Sequence, residues 1–269
     1  MMRNYIKTLQ TNLAHALQFI IAFIFVKFFT MFPIEVASNI GGFFGRNIGY
    51  FVGRFTGDNK KGIRQIGFVF KDMPEEKRVK LLKKTYENIG RFIMEYINQD
   101  KMNAKWFKKN VLIPDEDLLL KYCKKGSFGI TAHYGNWEIL QRFVALHGIE
   151  VNVIYNPIQN PLLNKLYLQQ RVGAIQTPKG ANSMKQLINL IKNKKTTGIL
   201  IDQRDKQGEL FNFFHLKAHT STVIQRLSIK YNYDIFPVRC KRLEENPNKF
   251  IMDIGLALKT DKQTEEEKV

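Results

Sequence analysis

Apolar positions change their spacing twice along the chain. From Ala16 to Pro33, ALQFIIAFIFVKFFTMFP, the only polar or charged side chains are Gln18, Lys27 and Thr30. About 18 such residues are enough for a membrane-crossing helix. Aliphatic and phenyl groups fall on every side of that helix, which suits lipid better than a one-sided groove in protein, and Lys27 can extend its ammonium to the headgroups. No small-residue cleavage site follows, so residues 1–35 are read as a retained membrane anchor rather than a removed signal peptide. A core helix of a soluble protein is the competing reading. Basic residues flank both sides, Arg3 and Lys7 before and Arg46, Arg54, Lys60, Lys61 and Arg64 after, so the positive-inside rule does not orient the segment. A helix lying in or dipping into the cytoplasmic leaflet would satisfy both flanks.

A second pattern follows in GGFFGRNIGYFVGRF, where Gly41, Gly45, Gly49 and Gly53 recur every four residues. Such a stripe lets another helix approach closely, and each glycine costs roughly 1 kcal/mol of helix propensity relative to alanine, so it needs a packing reason. Simple flexibility is the alternative. Residues 72–99 carry apolar groups at Val79, Leu82, Tyr86, Ile89, Phe92, Ile93 and Ile97, a helical period with a charged opposite face. After a lysine-rich connector, short apolar runs alternate with longer amphipathic stretches. SFGITAH, VNVIYN, TGILID, DIFPVRCKR and KFIMDIG read as strands; NWEILQRFVALHG, NPLLNKLYLQQRVG, SMKQLINLIKNK and STVIQRLSIKYN read as helices. The alternation predicts an α/β domain over residues 36–269, with a mostly parallel central sheet and helices on both faces.

Composition narrows the partners. A formal charge of +18 implies attraction to something anionic: nucleic acid, an acidic membrane face, a phosphorylated substrate or an acidic carrier protein. Cys123 and Cys240 lie far apart without ligand-like spacing, which supports neither a disulfide framework nor a cysteine zinc site. His215 and His219 in HLKAH lack a third ligand nearby and are read as loop residues, so no metal is expected.

Candidate chemistry centres on AHYGNWE. His133 stands five positions before Glu138, a spacing for which chance alone gives about half of one match in a chain of this composition. Its context carries more weight. His133 falls at the carboxyl end of a predicted strand, where open α/β sheets bind ligands, and Glu138 falls in the first turn of the next helix. The positive end of that helix favours the ionised carboxylate, so His133 is expected as a general base with Glu138 as its orienting acid. Backbone amides near Gly135 and Asn136 are candidate oxyanion donors. There is no G-x-S-x-G elbow, P-loop or dinucleotide glycine fingerprint.

TAHYGNWEI, preceded by ENIGRFIMEYI and followed by GILIDQR and the FF…AHTST stretch, resembles the late acyltransferases of lipid A synthesis, within the lysophospholipid acyltransferase superfamily. The likeness runs from the anchor to about residue 255. It implies transfer of an acyl group from an acyl carrier protein thioester to a hydroxyl of a hydroxyacyl chain on a phosphorylated glucosamine disaccharide, the Kdo-modified lipid IVA precursor. No cofactor is implied beyond that co-substrate. The resemblance places the catalytic domain on the cytoplasmic face of the bacterial inner membrane, in contact with membrane lipid. It also implies substrate contacts from Asn136, Trp137, Arg171, Asp202, Gln203, Thr220 and Ser221. Each has a bland counterpart: a helix cap at Asn136, packing at Trp137, a surface charge at Arg171, loop starts at Asp202 and Gln203, and capping at Thr220 and Ser221.

The sequence leaves two other readings open. A glycerophospholipid acyltransferase would take a lysophosphatidate-type acceptor; the GNWE form favours the lipid A branch. A basic peripheral membrane or nucleic-acid-binding protein would account for the charge, but the basic residues are dispersed and no nucleic-acid motif is present. Members of the resembled family usually continue into a further helix and a W-x-H-like segment, whereas this sequence ends in TDKQTEEEKV, so the domain is expected to be incomplete at its carboxyl end.

Overall fold

The computed structural model describes residues 2–171, 173–180 and 182–258, with side chains from Leu9 onward. The terminal TDKQTEEEKV lies outside the described residues. Five helices come first: α1 (Met2–Phe29), α2 (Ile34–Phe44), α3 (Tyr50–Thr56), α4 (Asp58–Val69) and α5 (Glu75–Tyr96). The rest runs α6 (Ala104–Asn110), β1 (Val111–Leu112), α7 (Glu116–Lys125), β2 (Phe128–Thr131), α8 (Glu138–Leu146), β3 (Val151–Tyr155), α9 (Pro161–Gln169) and β4 (Ala174–Pro178). It ends with α10 (Ser183–Lys192), β5 (Thr196–Leu200), β6 (Glu209–Phe213), β7 (Leu216–Thr220), α11 (Val223–Tyr231), β8 (Ile235–Arg242) and β9 (Phe250–Ile254).

Seven strands form one sheet in the order β1-β9-β8-β2-β5-β3-β4, and β6 and β7 form a separate hairpin. Every pairing in the large sheet is parallel except β8 with β9. This is the mostly parallel α/β architecture that the strand and helix alternation predicts. Both faces are covered. Leu119, Cys123, Ile139, Phe143 and Val144 from α7 and α8 pack on Phe236, Val238 and Cys240 of β8. On the other face, Leu187 and Ile191 of α10 and Leu227 of α11 pack on Phe128 and Ile235. Period-2 alternation sends neighbouring β8 residues to opposite cores.

The apolar stretch of α1 runs from Leu9 to Phe29, starting earlier than the sequence pattern alone marked, and only 6% of its most apolar window is buried. It is long and apolar enough to cross a membrane. Lys101 Nζ donates to the Thr30 and Phe32 carbonyls at 2.5 and 2.7 Å, filling acceptors at its carboxyl end. The glycine stripe has its packing reason in α5. A Cβ on Gly41 would meet the Gly90 carbonyl oxygen at 2.4 Å, and one on Gly45 would meet the Tyr86 carbonyl oxygen at 2.2 Å. A π-helical turn over Gly45–Gly49 shifts the stripe's phase along the way.

Candidate active site

Strand register explains the site's central contact. In β2 and β5, Phe128 pairs with Thr197 and Thr131 with Leu200, and the ladder extends to a hydrogen bond from Ile201 N to the Thr131 carbonyl. Two residues past each strand end, the same 69-residue offset sets His133 beside Asp202. His133 Nδ1 lies 2.8 Å from Asp202 Oδ1, and the His133 backbone amide donates to Oδ2 at 2.9 Å. A carboxylate only accepts, so in the neutral ring it is Nδ1 that carries the proton and Nε2 that keeps its lone pair. Asp202 thus fixes residue 133 through both backbone and ring.

Glu138 does not make this contact, which corrects the expected geometry. It is 3% exposed in the first turn of α8, with both oxygens engaged by Arg171, Nε at 3.1 Å and Nη2 at 2.5 Å, and with Gln141 donating as well. A carboxylate that deep in protein needs a cation, and Arg171, just beyond α9, supplies it. Arg171 is 8% exposed rather than a surface charge. Burial works against its own charge, but the facing Glu138 carboxylate outweighs this and raises its pKa above the ordinary arginine value.

Asn136 also turns inward. At 1% exposure its Nδ2 donates to Glu95 Oε2 at 2.7 Å, while its Oδ1 accepts from the Glu138 amide at 3.1 Å. It therefore closes the turn before α8 from within the protein and is buried away from the groove. The Asn136 backbone amide is engaged too, donating to the Cys240 carbonyl at 3.3 Å, so it does not serve as an oxyanion donor in this arrangement. Gly135 must be glycine: at φ +61 its Cβ would sit 1.9 Å from that same carbonyl oxygen.

Sequence reasoning missed what holds this turn. Glu95, 1% exposed, accepts from Ser38 Oγ, Asn136 Nδ2 and both terminal nitrogens of Arg242, all at 2.7–2.8 Å. Arg242 Nε donates to Asn88 Oδ1, and Asn88 Nδ2 donates to the Gly135 carbonyl. The turn after β2 is thus bracketed by α5 and the end of β8. Tyr96 was also missed; its hydroxyl donates to the Tyr167 carbonyl at 2.8 Å and its ring stacks on the Tyr167 ring. A lone glutamate on the inner side of an amphipathic helix was the available signal for Glu95. Its partner 147 residues away was not readable.

His133 opens onto a cavity of about 790 Å³. Trp137 forms part of its wall, stacking on Phe92 at 4.1 Å and meeting the His133 ring edge-on at 4.7 Å. Glu138, Arg171, Gln203 and Ser221 also line it, whereas Asn136 and Thr220 do not. Ala22, Phe25 and Val26 of α1 complete one apolar side, so the candidate membrane helix borders the same groove as the histidine. Gly129 and Gly198, side by side on β2 and β5, help leave a second, smaller cavity beneath α8 that shares Trp137, Glu138 and Arg171 with the first.

A model of the family described as bacterial lipid A biosynthesis acyltransferase matches residues 6–268. A lipid A biosynthesis acyltransferase of Haemophilus influenzae is 25% identical over 170 residues, covering 61% of this chain and 52% of the relative. The chain spans about half the length of that curated relative. With the family match running nearly end to end, the chain belongs to the bacterial lipid A biosynthesis acyltransferase family.

Proposed function

We propose that this chain transfers a fatty acyl group from an acyl carrier protein thioester to a hydroxyl of a hydroxyacyl chain on the Kdo-modified lipid IVA precursor, at the cytoplasmic face of the inner membrane. One observation carries the reading: an imidazole held by a carboxylate at the parallel strand ends, opening on an apolar groove that a membrane-length helix borders. His133 Nε2 takes the proton of the acceptor hydroxyl as the oxygen attacks the thioester carbonyl carbon. The tetrahedral intermediate then collapses, the carbon–sulfur bond breaks, and the imidazolium returns its proton to the departing carrier thiolate. Asp202 keeps the ring in the tautomer this requires. Glu138 acts with Arg171 as a charged anchor beneath Trp137, holding the start of α8 against the end of α9. Gln203 and Ser221 border the entry for the polar part of a substrate. The charge of +18 suits both an acidic carrier and a phosphorylated acceptor.

The test supplies membranes containing the full chain with acyl carrier thioester and either the disaccharide acceptor or a lysophosphatidate. The expected product is the disaccharide heavier by one acyl group, and none forms when the hydroxyacyl chains are replaced by plain acyl chains. Acylation of the lysophosphatidate with the disaccharide untouched would overturn the reading in favour of a glycerolipid enzyme.

A further inference from the structure

The β6–β7 hairpin stands apart from the large sheet, and its tip is apolar in the open. Leu210, Phe213, Phe214 and Leu216 are 51–64% exposed. Phe213 and Leu216 are direct cross-strand partners, and the Phe213 and Phe214 rings meet edge-on at 4.7 Å. Phe214 holds the two-residue turn at φ +53, a left-handed conformation that favours glycine or asparagine and is costly for a bulky side chain. Keeping a phenylalanine there makes sense where the exposed ring itself has a task.

Side-chain hydrogen bonds tie the hairpin down at its base. Glu209 accepts from Thr222 Oγ1 and Arg226, which fastens β6 to α11, and His219 Nδ1 lies 2.9 Å from the Gly208 carbonyl. The residues on either side of that base, Asp205 and Ser221, line the large groove, as do Phe25 and Val26 of α1. Exposed Lys217 stands next to the apolar tip, across from Asn212, while exposed Arg204 and Lys206 lie at the hairpin's base. Aromatic and aliphatic side chains with a cation beside them, and further cations toward the base, form the pattern of an interfacial membrane contact.

We propose that the hairpin tip is a second membrane contact, inserting Phe213, Phe214 and Leu216 into the anionic bilayer surface so that the groove is held at the lipid from two sides. It rests on the reading that the groove takes a membrane-embedded acceptor, but insertion is measured without any acyl transfer. An acidic carrier would be drawn to the hairpin's cations but would leave the phenyl rings uncovered, and a second copy of the chain would bring the same cations together.

The full chain is reconstituted in vesicles of phosphatidylethanolamine and phosphatidylglycerol with a spin label at Phe214→Cys and, as a control, at Gln207→Cys near the base. Both native cysteines are buried, which leaves the introduced thiol as the reactive one. The label at 214 is expected to be open to oxygen and shielded from a water-soluble nickel chelate, with the label at 207 the reverse. Equal nickel access at both positions overturns the proposal, as does shielding at 214 that needs added carrier protein or increases with protein density in the vesicles. A second variant separates insertion from folding. Phe214→Gly relieves the backbone, so thermal stability should hold or rise, while the KM for acceptor in vesicles rises roughly tenfold and turnover of detergent-dispersed acceptor is unchanged. A KM in vesicles equal to wild type overturns the inference.

Discussion

Replacing Glu95 with glutamine tests the bracket behind the turn that carries His133. Glutamine keeps the shape and one acceptor oxygen but removes the charge that faces Arg242, whose side chain is 10% exposed against 2% for Glu95. Breaking one side of a buried ion pair costs about 3–5 kcal/mol, because the remaining charge stays buried without its partner. Glutamine can still accept from Ser38 or Asn136, which places the expected loss near the lower bound. For a domain of this size about 3 kcal/mol corresponds to a fall in Tm of roughly 6–12 °C. Thermal unfolding of the detergent-solubilised chain, followed by circular dichroism, reads this directly. The double variant Glu95→Gln/Arg242→Met removes both charges while leaving an acceptor oxygen for Ser38 or Asn136, and is expected to regain part of the loss, since no buried charge is left without its partner. A Tm for Glu95→Gln within 2 °C of wild type would refute the reasoning, and so would a double variant no more stable than Glu95→Gln.

Gly90→Ala should destabilise the chain by about 1–3 kcal/mol despite alanine's better helix propensity, because the added Cβ would lie 2.0 Å from the Gly41 backbone carbonyl oxygen, which has no side-chain freedom to give; a Tm at or above wild type would contradict the tight α2–α5 approach. Glu87 gives an acid-dependent contribution. Burial opposes its ionisation, but hydrogen bonds and charges from Arg46 and Arg91 outweigh this and hold its carboxyl below the usual value of 4.5. Its stabilisation is therefore complete above that value and is lost as the pH falls through the lowered native value. Glu87→Gln should flatten the wild-type decline in Tm below about pH 4.5, and parallel curves would count against it.

Much of the fold was legible because period and length carry it. Short apolar runs such as SFGIT and TGIL alternate with amphipathic stretches, and that alternation implies parallel strands with crossover helices. β4 was missed because AIQTP is short and polar, and the β6–β7 hairpin because FFHL carries no glycine or asparagine turn signal at its tip. His133 stood out as a candidate because a strand end and a helix start frame it. Its partner was misassigned because sequence proximity favoured Glu138, whereas the carboxylate that reaches the ring arrives through the register of β2 with β5, a relation between residues 69 positions apart. Arg171 was read as one side chain reaching for a substrate; its burial beside Glu138 depends on how α9 returns to the sheet, which no local pattern encodes.

The central claim, that Asp202 acts through His133, is tested most directly by a double-mutant cycle in turnover. Initial rates of acyl transfer are measured with saturating thioester and acceptor for wild type, His133→Ala, Asp202→Asn and the two combined. Loss of the base should cost about 10²–10⁴-fold in kcat, Asp202→Asn should cost less, and the combined variant should be no slower than His133→Ala alone. Losses that multiply in the double variant, or an Asp202→Asn enzyme with wild-type kcat, would contradict the account.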